Sequence, residues 1–401
     1  MHVSIPPLAV TAYTATSALG LGLDAHRDAL QQQRSGLRLN DFSQAPLPCW
    51  IGRVDGLEDT ALPGVYAEWD CRNNRLAWLG LNQDGFISKI HAARARYGAE
   101  RLALLLGTST ASIGATEEGY RRLEDGRLPS DLHRTALHTP HSLTAFVANA
   151  LDVAGPCLTI STACSSSAKV FASAERLIRL GLVDAAVVGG VDSLCESTLF
   201  GFNSLELISP EPCRPFDANR RGISIGEAAG FALLERSEAQ PDVPLRLLGC
   251  GESSDAHHMS APDPEGVGAK LALRDIFDRT GLDVSQVDYI NLHGTASQKN
   301  DAMEASLVAR LFSAGTRVSS TKGLTGHTLG AAGILEAVIT LLAMGDGLVP
   351  GNAGTLRPDP ECSKHFAWCN ESRALRVALS HSFGFGGSNA CLAFAHAEVA
   401  A

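Results

Sequence analysis

Apolar runs of strand length alternate with helix-like runs along this chain, and the alternation starts again in its second half. Continuous apolar strands lying between helices belong in sheets that are covered on both faces. Residues 101–107, 157–161, 185–191 and 229–234 read as buried strands, with helices over 143–151 and 165–180. The grammar then recurs with strands over 245–251, 287–293, 377–382 and 390–395, and helices over 266–280, 300–312 and 328–344. The class is α/β, with a boundary expected near residues 239–243. Identity between the halves is too weak to establish a repeat, and many α/β folds alternate in this way.

One strand-to-helix junction holds a nucleophile type. The run Leu158-Thr159-Ile160-Ser161-Thr162-Ala163 ends at Cys164, and Ser165, Ser166 and Ser167 open the next helix. The first N–H groups of a helix have no partner within it, so its positive end favours a thiolate, the nucleophilic form. A small buried thiol fits the same segment.

Two histidines tilt the balance. Asp288-Tyr289-Ile290-Asn291-Leu292-His293-Gly294 reads as a buried strand ending in histidine and glycine. Lys322-Gly323-Leu324-Thr325-Gly326-His327 reads as a loop before a glycine-alanine helix. Two histidines at glycine-flanked element ends, beside a cysteine on such a turn, suit covalent acyl chemistry.

Thr162-Ala163-Cys164-Ser165-Ser166, His293-Gly294-Thr295, Lys322 with Gly326-His327, and Ser382 to Asn389 (SFGFGGSN) together resemble the β-ketoacyl–acyl carrier protein synthases. The Cys-His-His set is similar to the elongating enzymes, whereas the initiating branch uses Cys-His-Asn. The resemblance spans essentially the whole chain. It implies the thiolase fold, two similar halves in an α/β/α/β/α stack. Residues 1–243 would bear the nucleophile and residues 244–401 both histidines.

It also implies roles. Cys164 would take the acyl group from a thioester. The N–H groups of Cys164 and Phe385 would hold the developing oxyanion. His293 and His327 would stabilise the enolate left when malonyl thioester loses carbon dioxide, each donating through Nε2. No redox or metal cofactor is needed for this. Lys322, Glu304 and Glu336 would form a buried electrostatic frame, joined by Asp301 and Asn389. The Asp255–Ser260 loop, with Asp255 and His258, would support the Phe385 gate. Phe202 would line the acyl pocket, and Thr110 would stand at its end by a dimer interface.

The partner so implied is acyl carrier protein, an acidic protein, while this chain has a formal charge of −10. Docking then needs local basic patches. Arg72 and Arg75 resemble such a pair, and Arg121, Arg122 and Arg127 form a second cluster; Glu206 stands where some relatives are basic. The acidic balance disfavours nucleic acid.

The ten cysteines form no CxxC pair and no zinc-like spacing with histidine, so reduced thiols and a cytoplasmic setting are expected. The stretch Met1–Pro7 lacks a leader pattern, and no membrane span is read. A biosynthetic thiolase would need a second cysteine in a CxG-type motif where His381-Ser382-Phe383-Gly384 stands. A silent chain-length partner or scaffold would share the fold but usually lacks the nucleophile. Ala296, Arg221 and Ile223 depart from common family residues. They resemble free-standing synthases of specialised routes, such as aryl polyene or polyketide assembly. A homodimer or a heterodimer with a homologous subunit is expected.

Overall fold

The computed structural model describes residues 6–399, so most of the Met1–Pro7 stretch lies outside the described residues. In the first half the strands are β1 (Leu8–Ser17), β2 (Leu102–Gly107), β3 (Cys157–Ile160), β4 (Ala185–Asp192) and β5 (Ala228–Arg236), paired in the order β3-β2-β4-β5-β1. In the second they are β6 (Leu245–Ser254), β7 (Tyr289–Asn291), β8 (Arg317–Ser319), β9 (Val377–Gly384) and β10 (Ser388–His396), paired β8-β7-β9-β10-β6. Position by position, the two orders are the same. So are the senses: β2 is parallel to β3 and β4, as β7 is to β8 and β9, and the remaining pairs are antiparallel. The half-sheets meet where β1 pairs with β6 through Leu8–Leu247 and Ala9–Arg246. The recurrence expected from the grammar is therefore real in topology.

Three hydrophobic clusters separate five layers. Helices α1 (Arg72–Leu81), α2 (Phe86–Tyr97) and α3 (Ser142–Leu151) cover the outer face of the first half-sheet, through Leu76, Ile90 and Phe146. Helices α4 (Ser166–Arg179), α5 (Val267–Thr280), α6 (Gln298–Leu311) and α7 (Ala332–Asp346) form the other two helical layers. α4 and α7 lie between the half-sheets, where Phe171, Ile178, Ile334 and Val338 share one core with both. α5 and α6 cover the far face through Leu273, Ile276 and Leu307. The result is the α/β/α/β/α stack of a thiolase fold. The segment Leu329–Asp346 is long and apolar enough to cross a membrane by length and composition, but 89% of it is buried here. It is the core helix between two sheets, which explains an apolar surface on every side.

Two boundaries and one whole strand differ from expectation for local reasons. The run over 287–293 pairs as a strand only at Tyr289–Asn291, because the N–H groups of His293 and Gly294 turn to the Glu304 carboxylate. The helix expected from 328 begins at Ala332, after a turn in which Leu329 has φ +54°. β1 went unrecognised because its threonines and tyrosine interrupt the apolar pattern, yet it joins the two half-sheets.

Candidate active site

Cys164 sits on a sharp bend between β3 and α4. Ala163 has φ +52°, a left-handed value that costs a non-glycine residue about 1–2 kcal/mol. The bend is tied internally: Ser166 Oγ donates to the Ala163 carbonyl at 2.6 Å and accepts from Thr162 N–H at 2.9 Å. Gly107 makes room for it. A Cβ there would lie 2.4 Å from the Ser167 nitrogen, so β2 can approach the start of α4 only without a side chain.

Burial pushes the Cys164 thiol up to about 11, against the lowering effects of the Phe385 N–H, the Lys322 charge and its own N–H. The resting sulfur is therefore chiefly the thiol, not the thiolate expected from the helix end alone. Alkylation of Cys164 by iodoacetamide should keep accelerating beyond the 9.0 of an ordinary thiol. A plateau below neutrality, read from the pH–rate profile, would show the helix end outweighing burial.

Two distant segments bring the histidines to this sulfur. His327 Nε2 lies 3.1 Å from Cys164 Sγ, and the rings of His293 and His327 stand 5.3 Å apart, edge to face. Burial and then the Lys322 charge hold both far below the usual imidazole range, so both are neutral. Their tautomers follow from their neighbours. The Leu329 N–H donates to His327 Nδ1 at 3.3 Å, and the Lys322 ammonium donates to His293 Nδ1 at 3.4 Å. Each ring must then bear its proton on Nε2. Both become hydrogen-bond donors into the same space.

Lys322 is 1% exposed. Its ammonium also donates to the His293 carbonyl at 2.5 Å and to Glu336 Oε1. Burial raises Glu336 to about 7, with Lys322 pulling the other way. Glu304 is not the second partner of the ammonium, contrary to the expected frame. It accepts from His293 N–H at 3.0 Å, Gly294 N–H at 2.6 Å and Asn300 Nδ2 at 2.9 Å. Asp301 supports the next residues, accepting from the Thr295 and Ala296 N–H groups, with burial raising it to about 7. These two carboxylates shape the turn after His293 through its backbone.

Asn389 also departs from the frame. It donates to Asp255 Oδ2 at 2.9 Å and to the Gly387 carbonyl, so it belongs to the loop beside Phe385. Asp255 N–H donates to the Gly387 carbonyl at 2.9 Å, and Gly386 N–H to the Met259 carbonyl at 2.9 Å. The 255–260 loop thus does brace the glycine turn. His258 does not take part: it is exposed and accepts from Ser260 in its own loop.

A cavity of 390 Å³ opens over the sulfur, lined by Cys164, both histidines, Phe202, Ile223 and Phe385. The Phe385 and Phe202 rings stand 5.6 Å apart. The Phe385 and Cys164 N–H groups both act to lower the Cys164 thiol, and they are the two donors expected for an oxyanion. Thr110 does not line this cavity. Its hydroxyl is buried and donates to Asp192 Oδ1 at 2.8 Å. The donor atoms of Cys164, His293 and His327 lie within 4.8 Å of one another, a set that sequence spacing did not show. A metal would need the Nε2 lone pairs, and the donors at both Nδ1 atoms oppose that tautomer.

Residues 83–240 match the β-ketoacyl synthase N-terminal domain, and residues 246–355 match the C-terminal domain. The chain belongs to the β-ketoacyl synthase family. Nodulation protein E of Rhizobium meliloti (strain 1021) is 34% identical over 304 residues, 73% of this chain and 75% of the relative. A mitochondrial 3-oxoacyl-[acyl-carrier-protein] synthase of Arabidopsis thaliana is 39% identical over 260 residues, 60% of this chain and 56% of the relative. Among solved structures, a ketosynthase (ApeO) in complex with its chain length factor (ApeC) from Xenorhabdus doucetiae matches with a TM-score of 0.89 at 36% identity, covering 98% of each chain. β-Ketoacyl synthases are acyltransferases, and their reaction is condensation.

In this β-ketoacyl synthase the basic pair expected to dock a partner is already occupied. Arg72 donates to both oxygens of the fully buried Glu227, at 2.9 and 2.6 Å, and also pairs with Glu58. Arg75 forms a bidentate pair with Asp70 at 2.6 Å. Glu227 in turn accepts from the Val54 and Leu194 N–H groups, so Arg72 is a structural cation. Arg72→Ala should destabilise the fold by about 3–5 kcal/mol, because it leaves a buried carboxylate without its charge partner. Arg75→Ala should cost about 0–1 kcal/mol. Urea denaturation of the two variants checks this, and equal small losses would contradict it. Glu227 and Asp192 both escaped the sequence reading, as single acids near strand ends with no motif around them.

Proposed function

We propose that this chain catalyses decarboxylative Claisen condensation on carrier-bound substrates, with Cys164 as nucleophile and His293 and His327 as paired donors to the enolate oxygen. The observation that bears it is the convergence of two neutral Nε2–H donors, whose rings stand 5.3 Å apart, on the space above the Cys164 sulfur. Acyl transfer makes a new thioester at Sγ and breaks the incoming one, with the proton passing to the departing thiol. Decarboxylation of the malonyl group then yields an enolate. Its oxygen accepts from both histidines, and its carbon attacks the acyl carbonyl held at the oxyanion donors. The tetrahedral adduct then collapses, breaking the C–S bond and returning the Cys164 sulfur, which regains its proton.

Lys322 has a positioning role in this scheme, since its ammonium sets the His293 tautomer. Division at 243/244 gives the nucleophile to one half and both histidines to the other. Phe385, on a glycine turn with its ring tilted against that of Phe202, is the gate between the cavity and the acyl pocket.

Acyl carrier protein is the partner that delivers both groups, and a homologous chain-length subunit is the second. The likeness to a ketosynthase–chain length factor complex supports the latter, as do the departures at Ala296, Arg221 and Ile223. These support a specialised polyene or polyketide route over housekeeping fatty acid synthesis. The free thiols fit a cytoplasmic setting. Carbon dioxide release from malonyl-carrier protein, measured with the chain alone and with a homologous subunit added, tests the reading. Turnover only with the subunit supports the heterodimer. No turnover under either condition, with Cys164 intact, contradicts the proposed reaction.

A further inference from the structure

Asp192 ends β4 with its carboxylate wholly buried and takes seven hydrogen bonds. Oδ1 accepts from Thr108 Oγ1 at 2.6 Å, Ser109 N–H and Thr110 N–H at 2.9 Å, and Thr110 Oγ1 at 2.8 Å. Oδ2 accepts from Ser109 N–H at 3.0 Å, Ser109 Oγ at 2.5 Å and Gly330 N–H at 2.6 Å. This density of donors on a buried carboxylate is far beyond what capping a strand end requires.

One of these bonds reaches across the fold to the turn that follows His327. Gly330 sits so close that a Cβ there would fall 2.7 Å from Asp192 Oδ2 and 2.8 Å from the Ser109 nitrogen. Its neighbour Leu329 is held at φ +54°, a value unfavourable for a bulky residue. That conformation aims the Leu329 N–H back at His327 Nδ1.

We propose that Asp192 is a positioning residue for His327: by clamping Gly330 it holds the strained Leu329 turn, which keeps the His327 proton on Nε2. The chain of contacts runs from carboxylate to Gly330 N–H, through the turn to Leu329 N–H, and so to Nδ1. This deepens the condensation reading, because a donor at Nε2 is what the enolate oxygen requires. Without the clamp the Leu329 turn relaxes, Nδ1 loses its donor, and the proton distributes over both nitrogens.

Asp192→Asn preserves shape but not the donors' partners. Both oxygens accept from backbone N–H groups, so the amide NH₂ must face an N–H in either orientation. The test is the ¹⁵N spectrum of histidine-labelled full-length protein, with His327 assigned by its loss in His327→Ala. The wild type should show a single His327 tautomer protonated at Nε2. Asp192→Asn should show a mixture, with malonyl decarboxylation reduced in proportion to the Nε2–H fraction lost, at most about tenfold. Acyl transfer to Cys164 should be largely retained.

If Asp192→Asn does not fold, Gly330→Ala displaces the same clamp and should give the same mixture. A wild-type His327 protonated at Nδ1, or a single Nε2–H tautomer in the folded variant, would overturn the proposal. A mixed tautomer with full decarboxylation would uphold the clamp and instead refute the donor role assigned to His327 in the reaction.

Discussion

Cys164→Ala will form no acyl-enzyme, and its condensation rate will fall by roughly 10⁶-fold, the scale on which losing a covalent nucleophile disables an enzyme. The alanine keeps the bend, because the bonds that tie it run through Ser165, Ser166 and Thr162. The loss is therefore chemical. Cys157→Ala should acylate normally: the Cys157 thiol donates to the Gly155 carbonyl, and Cys157 is not among the residues lining the cavity. Acylation is read by trapping the thioester from labelled acyl-carrier protein. Label on the Cys164→Ala variant would assign the nucleophile elsewhere.

His293→Ala and His327→Ala will each lower malonyl decarboxylation by about 10²–10³-fold, the cost of one preorganised donor to a developing oxyanion. Their effects on the first half-reaction should differ. His327 Nε2 touches Cys164 Sγ, whereas the hydrogen bonds of His293 tie it to Lys322 and Glu304. His327→Ala should thus slow acyl transfer as well, and His293→Ala should leave it nearly unchanged. Single-turnover acylation set against carbon dioxide release separates the two. Equal effects of His293→Ala on both half-reactions would mean that it damages the fold of the site and not the enolate step.

The sequence made the reacting groups legible because each lies in a short, locally determined motif. The small residues around Cys164, the glycine after His293 and the glycine before His327 are demanded by turns that only such residues can make. Pairings across the fold were legible only in part. Lys322 has Glu336 as expected, but Glu304 turned to the backbone of His293 and Gly294, since two N–H groups leaving β7 needed an acceptor. Arg72 read as a docking cation because the buried Glu227 that holds it is 155 positions away in sequence. The hydroxyl partner of Thr110, Asp192, went unread because it is an isolated acid whose importance comes from what two separate segments, 108–110 and 330, bring to it. The fold itself was legible as alternation and its two similar halves as an implication of the resemblance, while identity between the halves was too weak to show the duplication that strand order displays.

The central claim is a covalent acyl-Cys164 intermediate that malonyl-carrier protein discharges with loss of carbon dioxide. Intact-protein mass spectrometry follows both events on one sample. Incubation with acyl-carrier protein should add one acyl group to this chain, located on the Cys164 peptide. Addition of malonyl-carrier protein should then remove it, as carrier protein gains a 3-oxoacyl group and carbon dioxide is released in equal amount. An adduct that forms on another residue, or one that stays on Cys164 while carrier protein gains no 3-oxoacyl product, would contradict the account.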